Sequence, residues 1–98
     1  MAKYFLSKKA VEDLSAIWNY SFETWSEDQA DKYYNMLIAF CKQLAENPPV
    51  GKKYDKIKEG LLGFRAGKHI IFYIISRAGV EIVRILHQRM DLKNRIQE

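Results

Sequence analysis

Residues 61–91, LLGFRAGKHIIFYIISRAGVEIVRILHQRMD, limit the possible folds more than any other part of the chain. Two runs of β-branched and aromatic residues, 68–76 and 80–87, are separated only by Arg77-Ala78-Gly79. Such runs read as strands, and so short a connection joins them as an antiparallel hairpin. A shorter run, 61–65, precedes them across a turn at Ala66-Gly67. Three consecutive strands with tight turns predict a meander. Ile70, Phe72 and Ile74 alternate with Ile71, Tyr73 and Ile75, so both faces of the middle strand are apolar and both need cover.

That cover comes mainly from upstream. Residues 3–6 are aromatic and apolar and read as a first strand, expected to join the same sheet. Ser7 is a candidate N-cap. From residue 8 to about 24, Val11, Leu14, Trp18, Phe22 and Trp25 recur at steps of three and four, with Ile17 widening the stripe. Ser26-Glu27-Asp28-Gln29 fits a capping box at the start of a second helix. Its stripe is Ala30, Tyr33, Leu37, Phe40 and Leu44, flanked by Tyr34 and Cys41, and Asn47-Pro48-Pro49 ends it. One turn between two helices predicts an antiparallel hairpin. Residues 47–60 hold prolines, glycines and lysines without a clean period and read as a surface loop, with one helical turn around 55–58. The tail, 90–96, is expected to cover part of the second sheet face. The predicted fold is therefore α+β: a short N-terminal strand and a helical hairpin packed on an antiparallel sheet, in one domain over residues 1–98.

Charge is uneven along the chain. Residues 1–50 carry five Lys/Arg and seven Asp/Glu, or −2; residues 51–98 carry eleven and five, or +6. The basic half suits a surface that meets nucleic acid or an acidic partner. A single cysteine, Cys41, excludes an intrachain disulfide and a cysteine-based metal site, which fits a reducing cytoplasm. The N-terminus lacks the apolar run of a signal peptide, and no segment reaches the roughly 18–20 apolar residues of a membrane span.

Motifs for nucleotide binding or zinc hydrolysis, GxxxxGK[ST], GxGxxG and HExxH, are absent. Cys41 sits beside an apolar helix stripe, the place of a packing residue rather than a nucleophile. Two histidines without clustered acids give no metal site, and no cofactor is expected. One metal-free chemistry is compatible with the residue types: in-line cleavage of RNA, which needs a base, an acid and cations. Arg65, Lys68, His69, Arg84, His87 and Arg89 supply those types. Strand alternation, however, puts Lys68 and His69 on opposite faces, and Arg84 and His87 likewise. His69 then reads as a satisfied sheet histidine and His87 as a hydrogen-bonding staple for the tail. Tyr4, Trp25 and Tyr33 lie near element ends and are candidate aromatic anchors for a partner.

The segments Phe64-Arg65-Ala66-Gly67-Lys68-His69-Ile70-Ile71-Phe72-Tyr73 and Gly79-Val80-Glu81-Ile82-Val83-Arg84-Ile85-Leu86-His87-Gln88-Arg89-Met90-Asp91 resemble the C-terminal signature of ParE-type toxins, members of the RelE/ParE superfamily of toxin–antitoxin systems. The hairpin residues Ile17-Trp18-Asn19-Tyr20, Ala30 and Tyr33 and the Asn47-Pro48 stop resemble the same family. The resemblance implies a bacterial cytoplasmic toxin that poisons DNA gyrase, blocks replication and is neutralised by a ParD-like antitoxin with a DNA-binding part and a disordered tail. With that reading, target contacts are expected at Arg65, Lys68, Arg84, His87 and Arg89, and the aromatics near element ends, Tyr4, Trp25 and Tyr33, are expected to meet the antitoxin. The alternative is a ribosome-dependent mRNA endonuclease of RelE type, with Arg65, Arg84 and His87 as its catalytic residues. Some of those nucleases use a Tyr or His close to the C-terminus, and residues 92–98 contain neither.

Overall fold

A computed structural model describes residues 2–97. The order is β1 (Tyr4–Leu6), α1 (Lys8–Thr24), α2 (Glu27–Glu46), a 3-10 turn (Pro48–Val50), β2 (Lys52–Lys53), β3 (Leu62–Ala66), β4 (His69–Ser76), β5 (Gly79–His87) and α3 (Leu92–Gln97). The five strands form one sheet in the order β1-β5-β4-β3-β2.

Local chemistry sets the helix boundaries. The Ser7 hydroxyl accepts from the Ala10 N–H (3.0 Å), and the Ser26 hydroxyl accepts from the Gln29 N–H (3.1 Å). Each satisfies one of the N–H groups that a first helical turn leaves without a partner. Glu27 and Asp28 add acidic side chains at the positive end of α2.

The sheet departs from the expected meander in two ways. β1 joins it, but parallel to β5, with Tyr4, Phe5 and Leu6 opposite Val80, Glu81 and Ile82. The remaining pairs are antiparallel. The second departure is in the lysine-rich loop. Lys52 and Lys53 pair with Gly63 and Leu62 as a fifth strand. Tyr54 to Lys58 forms hydrogen-bonded turns rather than a helix. Tyr73 ties this connection down: its hydroxyl donates to the Pro48 carbonyl (2.6 Å) and accepts from the Gly51 N–H (2.8 Å).

Two apolar clusters cover the two sheet faces. On the helix side Leu14, Leu37, Cys41 and Leu44 pack on Ile71, Tyr73, Val80, Ile82 and Ile85. On the other side Leu61, Phe72 and Leu86 are closed over by Tyr54, Ile57, Leu92 and Ile96. The tail thus covers the second face, as expected, and the loop contributes to it as well.

Helix α1 is rotated relative to the stripe read from its aromatics. Ala10, Leu14 and Ser21 are its buried residues, while Val11, Phe22 and Trp25 are exposed. Small residues let the helix approach the sheet closely, and a hydrophobicity pattern dominated by tryptophan and phenylalanine hides them. Trp18 and Phe22 instead stack on each other, centroids 5.3 Å apart, and Trp18 Nε1 donates to Asp31 of α2 (2.9 Å). Together they close the outer seam of the hairpin.

β5 carries a bulge. Phe72 is opposite Arg84 and Tyr73 is opposite Ile82, which leaves Val83 as the extra residue. Ile82 and Ile85, three apart, therefore both reach the helix-side core. β1 ends opposite Ile82, and α1 takes over the open edge. The Ser7 N–H donates to the Ile82 carbonyl (3.0 Å), the Ser7 hydroxyl donates to the Val83 carbonyl (2.7 Å), and Asp13 accepts from the Ile85 N–H (3.0 Å).

Candidate functional site

The C-terminal half of α1 and the ends of β4 and β5 leave a groove of about 920 Å³ between them. Ile17, Ser21 and Ile85 form its floor. Tyr20 and Trp25 wall it on the helix side, Tyr33 and His69 at the β3–β4 end, and His87, Arg89 and Met90 at the end of β5. Trp25 is 62% exposed, and Tyr20 meets it edge to face at 6.4 Å. Such large aromatics beside a cleft resemble the anchors that carry binding energy at protein interfaces.

A polar chain runs along one wall. The Tyr33 hydroxyl accepts from the Lys68 N–H (3.1 Å) and pairs with His69 Nδ1 at 2.6 Å. Burial, and then the neighbouring His87, push His69 down from 6.5 to about 4, so at neutral pH its ring is uncharged. Tyr33 is itself raised by burial, so it keeps its proton and donates it to Nδ1. The His69 hydrogen then sits on Nε2. The His69 and His87 rings stand edge to face, centroids 5.3 Å apart. His87 Nδ1 accepts from the Arg89 N–H (3.1 Å), and its carbonyl accepts from the Met90 N–H (3.0 Å). The histidines match the structural roles expected of them: His69 is satisfied within the sheet, and His87 staples the turn before the tail.

Gly67 makes this corner possible. Its φ of +61° belongs to the left-handed region, and a Cβ there would sit 2.8 Å from the Tyr33 hydroxyl oxygen. The same turn changes the place of Lys68. It lies in the turn, not in β4, so Lys68 and His69 line one groove instead of facing opposite ways.

Of the expected contact residues, Trp25, Tyr33, Lys68, His87 and Arg89 converge here. Three do not. Arg65 is opposite Ile70 and shares its face, on the far side of the sheet from His69. Tyr4 belongs to β1 and borders a separate hollow of about 450 Å³ with Lys42 and Glu46. Arg84 is 8% exposed and committed to the fold. Its guanidinium donates twice to Asp13, at 2.8 and 2.9 Å, and once to the Arg95 carbonyl at 2.7 Å. It therefore joins β5, α1 and α3. Arg65, Arg84 and His87 consequently form no common site for RNA cleavage.

Sequence reasoning missed Tyr20 and Met90 as groove residues. Tyr20 falls off the apolar stripe of α1 and Met90 beyond the last strand, so periodicity pointed to neither, and the family resemblance named both without giving them a role. Among the described residues no group of His, Cys, Asp and Glu could hold a metal ion. Cys41 is buried, and burial raises its thiol to about 11, which makes it an inert packing group.

The family model for the ParE toxin of type II toxin–antitoxin systems matches residues 4–92. The chain belongs to the ParE toxin family. It is 37% identical over 92 residues to Toxin ParE1 of Mycobacterium tuberculosis, covering 93% of this chain and 94% of that protein. Toxin ParE1 of Caulobacter vibrioides is also 37% identical, over 93 residues, covering 95% and 96%. Toxin ParE of Escherichia coli is 31% identical over 100 residues, covering 100% and 96%. A solved structure of a chromosomal ParDE system from P. aeruginosa shares the ParE fold, with a TM-score of 0.78 at 18% identity over 89% of this chain and 96% of that one. As a ParE toxin of a type II system, the protein works with an antitoxin partner.

Proposed function

We propose that this ParE toxin acts in the bacterial cytoplasm as one domain over residues 1–98, binding DNA gyrase and blocking replication without cutting RNA, and that a ParD-like antitoxin neutralises it. No cofactor takes part. The observation that carries the reading is the groove. It offers Lys68, His87 and Arg89 around a floor of Ile17, Ser21 and Ile85, while Arg84 is spent on Asp13 and Arg65 faces the other way. A cationic, aromatic-walled cleft suits recognition of an acidic protein surface. In-line RNA cleavage would instead need a base and an acid brought to bear on one phosphate. His69, uncharged and held by Tyr33, is a poor acid at neutral pH. The location fits a chain in which, among the described residues, no helix is long and apolar enough to cross a membrane.

A supercoiling assay tests the reading. Purified toxin is expected to inhibit gyrase in a dose-dependent way and to trap cleaved DNA. Full supercoiling at a large molar excess of toxin, with no trapped cleavage product, would sink it. Site-specific mRNA cuts in a translating extract would favour the RelE-type alternative.

A further inference from the structure

Away from the groove, the connection between α2 and β3 holds most of the protein's excess charge. Residues 47–66 carry five Lys/Arg and two Asp/Glu, or +3; the rest of the chain carries eleven and ten, or +1. Four of those five cations lie on one side of the molecule. Lys52 is opposite Gly63, and Gly63 is opposite Phe72, so Lys52 shares the sheet face of Phe72. Arg65, opposite Ile70, is on the same face. Lys56 and Lys58 flank Ile57, which packs into the cluster under that face, and both are exposed. Among the described residues no carboxylate forms an ion pair with any of the four. We propose that this edge of the sheet is a contact surface for the phosphates of duplex DNA, separate from the groove, so that the toxin touches the DNA its target holds as well as the target. The choice of duplex DNA rests on the gyrase reading.

The backbone that carries these cations is fixed at both ends of β2. The Tyr73 hydroxyl holds Pro48 and Gly51 at one end, and the Tyr54 N–H donates to the Leu61 carbonyl (2.8 Å) at the other. The Tyr54 ring stands edge to face on Phe72, centroids 5.1 Å apart, in space that Gly63 leaves open: a Cβ at Gly63 would lie 2.6 Å from that ring. The Lys52 ammonium sits 5.7 Å from the centroid of the same ring. Antiparallel pairing alternates, so with Tyr54 bonded to Leu61 the Lys53 N–H points away from β3 and adds a backbone donor to the edge. Cations held in place without carboxylate partners gain by neutralising phosphates and releasing their condensed counterions. The ring beside them, Tyr54, is engaged with Phe72 and Lys52, so it is not offered to unstacked bases, and the surface suits a paired backbone rather than a single strand. Lysines on an exposed edge also discourage pairing with another sheet. A guard of that kind works with charge of either sign, whereas phosphate contact needs positive charge, and the two roles separate on that difference.

The test needs no gyrase. Purified full-length toxin is titrated against a short fluorescent DNA duplex over a range of salt concentrations. Three or four phosphate contacts predict that the logarithm of the binding constant falls with the logarithm of salt at a slope of about −3. The double variant Lys56→Glu/Lys58→Glu is expected to lower that slope by about two and to weaken binding at least tenfold, with unchanged thermal melting because both side chains are exposed. Lys8→Glu, exposed at the start of α1 on the other side of the sheet, should keep the wild-type slope. Glutamate guards an edge as lysine does, so unchanged binding by the double variant would leave the lysines as edge guards and overturn the proposal. So would a wild type that does not bind the duplex at low salt, binding that is lost in Arg89→Ala and kept in the double variant, or tighter binding to an RNA of the same length. In the supercoiling assay the double variant is expected to trap less cleaved DNA than the wild type while capturing the antitoxin fully. Loss of antitoxin capture would assign this edge to the antitoxin and overturn the proposal too. A wild type that leaves gyrase untouched brings down the gyrase reading, and the duplex titration still decides whether the edge binds DNA.

Discussion

Arg84 and Arg89 lie five residues apart at one end of β5 and its following turn, yet they belong to different parts of the molecule. Arg84 is nearly buried, shared between a carboxylate on α1 and a carbonyl on α3. Arg89 is exposed at the mouth of the groove. Residue type and sequence neighbourhood do not separate them. The partner available does: Asp13 meets the β5 edge where β1 stops, and among the described residues nothing comparable reaches Arg89. The second sheet face is closed by α3 and the 54–57 turn, whereas the helix face is left open along half of α1.

The largest effect expected from this contrast is at Arg84. Arg84→Ala removes both guanidinium bonds to Asp13, leaving its carboxylate only the Ile85 N–H, and the bond to the Arg95 carbonyl, and should cost about 3 kcal/mol of stability by urea unfolding. Arg84→Lys should recover only part of that, because an ammonium cannot make the paired bonds. A loss under about 1 kcal/mol would mean that the staple is solvated and that the distinction between the two arginines is false.

Acid should reveal the groove wall next. Unfolded His69 takes up its proton near pH 6.5, and the folded protein does so only near 4. Between those values the unfolded state binds more protons, so stability falls as pH drops from 6.5 to 4 and levels off below that. The half-buried ring should account for on the order of 2 kcal/mol. His69→Gln should flatten that part of the profile, and an unchanged slope would remove His69 as its source.

A smaller change is expected at Tyr33. Tyr33→Phe strips the Lys68 N–H of its acceptor and His69 Nδ1 of its donor, and should cost about 1 kcal/mol in thermal or chemical melts. The smallest concerns Arg89. Arg89→Ala should leave stability within roughly 0.5 kcal/mol while weakening gyrase inhibition. Reduced stability with full inhibition would reverse the roles assigned to the two ends of this contrast.

Most of the architecture was legible because its determinants are local. Ser7 and Ser26 cap the helices they were expected to cap, Asn47-Pro48 ends α2, and the three long strands fall within a residue of their apolar runs. What could not be read was set by distant partners. Three residues of β1 say nothing about which strand they join or in which direction. Lys52 and Lys53 have no strand pattern, and they pair because β3 lies alongside. The fate of Arg84 depends on a carboxylate 71 residues earlier. The candidate site was half legible: its cations and two aromatics were identified, but a one-residue shift at the β3–β4 turn was enough to move Lys68 onto the face that His69 lines. Arg65 was misplaced because a cation's worth depends on its face, and the sequence does not say which face opens.

The parallel pairing of β1 with β5 also bears on how the toxin is made. The Ser7 hydroxyl bonds to a carbonyl 76 residues downstream, so the β5 edge on which β1 docks is synthesised long after β1 itself. The first strand must wait, unpaired, until the ribosome has released β5, and the groove has no floor before then, because Ile85 is part of it. The groove is thus one of the last features of the fold to form, however early the helical hairpin has folded.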